Sequence, residues 1–570
     1  MQHELDVRPE TSGASERRLI TFLITLTVFI TCLPYAWGYF LAPVMGEGGR
    51  ESSFIGTAYN IDDYCNYLSW LRQMADGHFF LHNLFTTDAQ KDLEFNVFFW
   101  LLGRFMALTH CSPQVALQVA RVGGGVGLLW LISRFYRHCL PNNIPARLTA
   151  FGFACLSSGF GWTVWTHWQD KNINAPVDAW QPEAYTFLSI YTSALMTVST
   201  ALILGALYAL LLGEQTGRWK YAVIAGVCGS ILGNMHSYDV LHLSAAWGVF
   251  LVVQTVIRRG KGMAQSWLRA VVALALTLPT TLYMYYVFSA EAVFHKRANV
   301  PTLSPRLHFA VGDYSFALPI IPYVAAYGLV SALAILAVVL IVRKSPLALP
   351  LLFALCWAVG GLLVCYLPFA FQRKMLMGEH IPLCLLAGVG AAWLADKLQP
   401  RLRTFALTAL VLLALPSNVF FLVRDFRHLQ HNRSETHLSP FLSTSLVDVY
   451  HWVRANTPAD AAIVGFPGLC TALPGEAGRA VWAGHWAETP SYGQKDIEFA
   501  DAFDKLTPDR DRQAFLASTH AQYLFYPNDI SSASFKRHGE PHAFVELTAA
   551  PPSYLTEVYK NEQFTVYQVQ

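Results

Sequence analysis

Asn60-Ile61-Asp62-Asp63-Tyr64 follows the first long apolar run of the chain and opens a short amphipathic segment that ends at Gly77. An acidic pair here, on the outer side of a chain built for lipid, suits glycosyl transfer from a lipid carrier, because an attacking hydroxyl must give up a proton. The positive end of the following helix would keep either carboxylate ionised, as a base must be. Asp62 also stands where a helix N-cap is expected, so capping of free N–H groups is the competing reading of that residue. Beyond it, Tyr64, Tyr67, Leu68, Leu71, Met74 and Ala75 share one helical face, with Asn66, Ser69, Gln73 and Asp76 on the other. That is the pattern of a helix lying in a membrane interface.

Composition sets the class. The 570 residues are 54% hydrophobic and 14% charged, with a mean hydropathy of +0.34, whereas a soluble domain carries roughly 25% charged residues. Apolar runs of about 20 residues, the length that spans a bilayer, recur from residue 19 to residue 424, after which the chain returns to the composition of a soluble domain. The expected architecture is mainly α and polytopic. It has a cytoplasmic tail over 1–18, a transmembrane domain over 19–424 with a first outer loop at 43–112, and a small α/β extracytoplasmic domain over 425–570. Membrane lipids are expected partners; nucleic acid is not.

Basic residues gather at Arg17 and Arg18, at Arg134, Arg137 and Arg147, at Arg218 and Lys220, at Arg258, Arg259, Lys261 and Arg269, at Arg343 and Lys344, and at Lys397, Arg401 and Arg403. Placing each cluster on the cytoplasmic side gives about eleven spans, with the amino terminus inside and the terminal domain outside. Val97 to Thr109 is too short to cross and is assigned to the outer leaflet. The first span lacks a small-residue cleavage site and reads as a retained anchor. The ten cysteines show no metal-type spacing, and a Cys65–Cys111 disulfide is one pairing that the outer loop would allow.

Other outward-facing groups are candidates for binding. His167 and Glu183 lie in or beside a loop that also holds Trp162, Trp165, Trp168 and Trp180, whose rings either anchor at the interface or stack on sugars and isoprenoids. His236 and Asp239 sit in a connection of a few residues, close enough to hold a sugar or a divalent cation, although two ligands without a third are a weak metal signal. A plain Asn/Asp turn is the alternative. Residues 291–318, with Arg297, form a basic stretch outside that suits an anionic lipid phosphate or is simply solvated.

Arg373, followed by Lys374, is the preferred phosphate ligand, because a guanidinium grips two oxygens of a leaving phosphate as charge grows on it. Snorkelling from the helix end is the other reading of both residues. Arg121 lies about two turns inside the second span and should face a polar cavity rather than lipid. Gly123, Gly124, Gly125 and Gly127 beside it permit close helix packing.

The acidic pair after the first span, the amphipathic helix behind it, the many spans and the terminal domain together resemble the GT-C superfamily of integral membrane glycosyltransferases. The specific part of the likeness is Asp62-Asp63-Tyr64 with its helix, and Phe371-Gln372-Arg373 adds to it. The resemblance implies a polyprenyl-phosphate-linked sugar as donor, hexosyl or pentosyl transfer with inversion, and a glycan, lipid or protein acceptor. It implies that Asp62 or Asp63 deprotonates the acceptor and that Arg373, with Lys374 or Arg297, stabilises the departing lipid phosphate. A Trp-Trp-Asp signature of the oligosaccharyltransferase type is absent, which disfavours peptide Asn as acceptor and leaves a divalent metal ion open. By the same likeness the expected location is a bacterial inner membrane.

Over 425–570, a helical stretch from Ser445 to Asn456, apolar runs at Ala461 to Phe466 and Tyr523 to Tyr526, and an alternating strand near Phe564 to Val569 predict the α/β domain. Its most unusual run is Gly484-His485-Trp486-Ala487-Glu488-Thr489-Pro490. His485 and Glu488 flanking an aromatic ring suit acceptor binding; an ordinary loop is the alternative. Two other functions compete. A lipid-linked sugar transporter or flippase would place ionisable groups at the bilayer midplane in repeated halves, and a non-catalytic scaffold would use the terminal domain to hold a partner.

Overall fold

The computed structural model describes residues 11–46, 51–163, 177–291, 293, 320–342, 347–367, 372–431, 439–530, 534–537, 540–548 and 550–570. The chain is mostly helical and divides into two compact units. The first comprises Met1–Leu33, Gln118–Met284 and Pro301–Arg424, and the second Pro34–Leu117, Tyr285–Val300 and Asp425–Gln570. The sequence reading separated the outer loop at 43–112 from the terminal domain. The structure gathers both into the second unit.

Each of the eleven expected spans meets helix, but not all of it is long. Among the described residues six helices are long and apolar enough to cross a membrane, or seven if Pro400–Leu413 and Pro416–His431 form one bent span. Ile144–Leu156, Leu349–Val364 and His380–Ala395 are shorter apolar helices of 13, 16 and 16 residues. Eleven full-length spans are therefore more than length alone supports. Hydropathy counts apolar residues, and a helix buried among other helices is apolar all round without spanning lipid. His380–Ala395 has this character. It packs against Ile144–Leu156, Ile320–Val342 and Leu349–Val364 and is buried along most of its length.

In the first unit, buried ion pairs tie helix ends. Arg147 donates to both carboxylate oxygens of Glu16, at 2.8 and 2.5 Å. Glu214, at the end of Ala194–Thr216, meets Arg269 at 2.9 Å and Arg258 at 3.6 Å. The end of Asp239–Ile257 and the start of Ala264–Ala290 therefore lie beside the end of Ala194–Thr216, as expected of helices alternating in direction. Of the glycines flanking Arg121, Gly124 and Gly125 face helix neighbours, with Ile190 Cγ2 only 2.8 Å from where a Cβ on Gly125 would stand.

The second unit is built on a five-stranded mixed sheet. Its order is Ala480–Val481, Ala462–Gly465, Tyr523–Pro527, Phe564–Val569, Leu555–Lys560. The first three strands are parallel and the last two join antiparallel. The apolar runs predicted as strands are those strands, and the predicted helix is Thr444–Asn456, capped by the Ser443 hydroxyl on Leu446 N–H at 3.2 Å. Ser52–Phe54 pairs antiparallel with Phe441–Ser443, which stitches the early loop to the terminal segment. All ten cysteines are free, so the Cys65–Cys111 disulfide does not form.

Candidate functional site

The helix Ile61–Ala75 starts one residue later than a cap at Asn60, which adopts a left-handed conformation at φ 50°. Asp62 and Asp63 stand in the first turn, where the helix dipole favours negative charge. Asp62 is therefore not the cap, and the competing reading of that residue falls away. Asn60 Nδ2 donates to Asp63 Oδ2 at 2.5 Å.

Protein covers the helix on both faces. Leu68, Leu71 and Met74 are buried as expected, but so are Asn66, Ser69 and Gln73 on the supposed wet face. Gln73 closes a pair of bonds with His82, accepting its N–H at 2.9 Å and donating to its carbonyl at 3.0 Å. Protein covers both sides because Val97–Thr109 and Leu473–Ala477 pack against this helix. Gly475 makes the second approach feasible, since a Cβ there would lie 2.7 Å from Leu68 Cβ. Its neighbour Glu476 is half-buried and accepts from Gln114 at 2.7 Å. Burial raises the Glu476 carboxyl above its ordinary range, opposed by Arg72.

A second element of the same unit faces the acidic pair. After the strand Ala480–Val481, the run Gly484–Thr489 folds back on itself. The Thr489 hydroxyl accepts from the Gly484 and His485 N–H groups at 3.1 and 3.2 Å and donates to Phe85 O at 2.8 Å. His485 is fully buried, its Nδ1 accepting the N–H groups of Ala487 and Glu488 at 3.0 and 3.1 Å. A nitrogen that accepts twice carries no proton, so the ring proton resides on Nε2. Nε2 lies 3.7 Å from Asp63 Oδ1. Trp486 is 44% exposed, lies nearly parallel to the His485 ring, and donates a hydrogen bond to Asp62.

These surroundings shift the Asp62 carboxyl. Burial raises it above its ordinary value, Asp63 adds to the rise and the Trp486 indole opposes it. Tyr492, at the start of the helix Tyr492–Ala502, is pushed up to about 12 by burial, with Asp496 and Asp62 adding to the effect. Asp496 is also raised by burial. Tyr492 and Asp496 were not singled out from the sequence, and a Tyr-x-x-x-Asp spacing in a polar helix carries no signal that would have found them.

Of the sequence candidates, Asp62, Asp63 and His485 come together here. Glu488 contributes its backbone, giving its N–H to His485 and accepting from Asn83 Nδ2 at 2.9 Å. A second group assembles in the first unit. His236 Nδ1 meets Asp239 Oδ2 at 2.6 Å and the Tyr238 hydroxyl meets His236 Nε2 at 2.5 Å. Lys374 Nζ lies 5.7 Å from the Tyr238 ring centre. The short turns holding Glu183 and Lys374, Pro182–Ala184 and Gln372–Leu376, pack together.

Arg121 does not join that group. Its guanidinium donates to Gln118 Oε1, Ile190 O, Thr31 O and Cys32 Sγ. These bonds tie its helix to Thr11–Leu41 and Thr186–Thr192. His167, Arg297 and the side chain of Arg373 lie outside the described residues.

Among the described residues no three of His, Cys, Asp and Glu are grouped for a metal ion. Both ring nitrogens of His236 are engaged by protein groups, and His485 turns an N–H, not a lone pair, toward the carboxylates.

No protein-family model matches the chain, and no curated protein matches it. Solved structures do. An ArnT from Cupriavidus metallidurans, bound to undecaprenyl phosphate, is similar at TM-score 0.51 and 13% identity over 96% of this chain and 97% of its own. The arabinofuranosyltransferase AftD from Mycobacteria is similar at TM-score 0.54 and 12% identity over 97% of this chain and 40% of its own. The oligosaccharyltransferase of Archaeoglobus fulgidus is similar at 0.51 and 12% over 90% and 70%. Two of the three are glycosyltransferases by name, an oligosaccharyltransferase and an arabinofuranosyltransferase. At these identities the likeness establishes the fold.

Proposed function

We propose that this chain, which has the fold of the GT-C membrane glycosyltransferases, moves a sugar from a polyprenyl-phosphate carrier to an extracytoplasmic acceptor hydroxyl. The observation that carries the reading is the acidic pair in the first turn of Ile61–Ala75, flanked by the buried His485 and the exposed Trp486. The coverage of ArnT over nearly its whole length supports it, as does the undecaprenyl phosphate bound to that protein. The oligosaccharyltransferase AglB likewise has been seen with a dolichol-phosphate.

In this reading a carboxylate of the pair accepts the acceptor's proton while the freed oxygen attacks the anomeric carbon. The bond from that carbon to the phosphate oxygen breaks, and the lipid phosphate leaves with the electron pair. Arg373, with Lys374 or Arg297, stabilises the growing phosphate charge. The acceptor is a glycan, lipid or protein, and the transferred group a hexose or pentose. The chain sits in a bacterial inner membrane with its amino terminus cytoplasmic and its terminal domain outside. No step is routed through a metal.

The test is turnover of a panel of radiolabelled polyprenyl-phosphate sugars by purified protein in nanodiscs, read as release of lipid phosphate. We expect release that drops about 10²- to 10⁴-fold in Asp62→Asn, the usual range for a lost general base. Release unaltered by Asp62→Asn and by Asp63→Asn would remove the base, and lipid movement without bond cleavage would establish a flippase instead.

A further inference from the structure

The His485 ring has a fixed direction. With Nδ1 held by two backbone N–H groups, turning the ring over would set a C–H against both donors, so Nε2–H stays aimed at the acidic pair. Nε2 is buried and has no hydrogen-bond partner at the resting distance of 3.7 Å from Asp63 Oδ1. Buried donors without acceptors are rare in native folds. The loop around this one is otherwise closed: Thr489 ties it to Phe85, and Thr471 to Gly484. One donor is thus left over, and a carboxylate oxygen of Asp63 lies 3.7 Å from it.

The two carboxylates differ in what they face. Asp63 has Asn60 on one oxygen and His485 opposite the other. Asp62 is set apart, held by the indole of Trp486, whose ring reaches the surface. The charged groups that meet His485 are Asp62 and Asp63 from the helix Ile61–Ala75; Tyr492, from Tyr492–Ala502, interacts with Asp62 and with Asp496 on its own helix, and Glu488 follows on the His485 loop. Lys495, the cation of that last helix, is directed away to Asp88 at 3.5 Å and to Trp482 O at 3.2 Å.

We infer that His485 is a positioning residue: its Nε2–H and the Asn60 amide together fix Asp63 as the standing anion of the pair, which leaves Asp62 as the carboxylate that takes the acceptor's proton. The inference rests on the glycosyl-transfer reading and assigns the roles within that site. The Nε2–H and the Asn60 amide engage the two oxygens of Asp63, while Asp62, raised by burial, is the carboxylate left to take a proton.

The experiment has two arms. In the first, full-length protein labelled with ¹⁵N-histidine is placed in nanodiscs, and the His485 ring signals are identified by their loss in His485→Gln. We expect the ring proton on Nε2, with the Nε2 signal moved by Asp63→Asn. A proton on Nδ1, or no response to Asp63→Asn, overturns the inference.

In the second arm, the pH profile of lipid-phosphate release is measured. His485→Ala should lower kcat about tenfold and move the acid limb of kcat/KM to higher pH, because Asp63 then competes for the proton, with the KM for the lipid donor unchanged. His485→Gln, which still offers an N–H, should restore most of both. An acid limb unmoved by alanine, or glutamine no better than alanine, sinks the assignment. If wild-type protein releases no lipid phosphate at all, the glycosyl-transfer reading fails, while the first arm still decides the geometry of His485 and Asp63.

Discussion

Arg454 grips Asp76 with both terminal guanidinium nitrogens, at 2.8 Å to Oδ1 and 3.1 Å to Oδ2, across 378 residues of sequence. The pair fastens the last residue of one helical segment to the helix Thr444–Asn456, and so holds the far end of the helix that presents Asp62 and Asp63. The Asp76 bond raises the Arg454 guanidinium above its ordinary value. Both side chains are about one-third exposed, so solvent screens the attraction. Arg454→Ala should cost about 1 kcal/mol or less, seen as a small drop in melting temperature in nanodiscs. A larger loss would mean that the bond to Ala477 O carries more than the ion pair.

Asp62 should trade stability for function. Its folded-state pKa is raised, chiefly by burial, so in the window between the ordinary carboxylate value and the raised one the folded chain binds more protons than the unfolded chain. Stability then falls as pH rises through that window. At neutral pH Asp62→Asn should melt at the same temperature as the parent or higher, while release of lipid phosphate collapses. A clear loss of stability at neutral pH would show the carboxylate to be a structural anchor.

The same raised value predicts where activity fails. A base must be ionised, so kcat/KM should fall on the acid side at a pH above the ordinary carboxylate range. Asp63→Asn removes a neighbour that raises Asp62 and should shift the limb to lower pH. Trp486→Phe removes a bond that lowers it and should shift the limb to higher pH. Shifts in the opposite senses would mean that another group titrates.

Trp486 should also matter through its exposed face. A stacked ring contributes about 1 kcal/mol, so Trp486→Ala should raise the acceptor KM several-fold and Trp486→Phe much less. Equal KM values in the two variants would assign the ring no contact with the acceptor.

Arg121 should behave as a structural residue. Replacing it with Leu removes the guanidinium bonds to Thr31 O and Ile190 O, a loss of about 1–3 kcal/mol. Melting should fall, with the KM for the lipid donor unchanged. A raised donor KM at full stability would return Arg121 to the phosphate site.

Much of this was legible in the residues. The polytopic helical class, the strands at Ala462–Gly465, Tyr523–Pro527 and Phe564–Val569, and the acidic pair at a helix start follow from hydropathy, periodicity and capping chemistry, all of which act over a few neighbouring positions. Other expectations failed for lack of that locality. The wet face of Ile61–Ala75 was read from its polarity pattern, yet Ser69 is buried beside Gly475, some 400 residues on, and Gln73 is buried against His82.

The chain's own order of residues therefore determined that there is a membrane protein with a carboxylate pair at a helix N-terminus. Only the tertiary structure decided that the first outer loop belongs with the terminal domain, and that His485 turns an N–H toward Asp63. The tautomer of a histidine depends on what its other nitrogen touches, and that contact exists only once the Gly484–Thr489 loop has closed on itself.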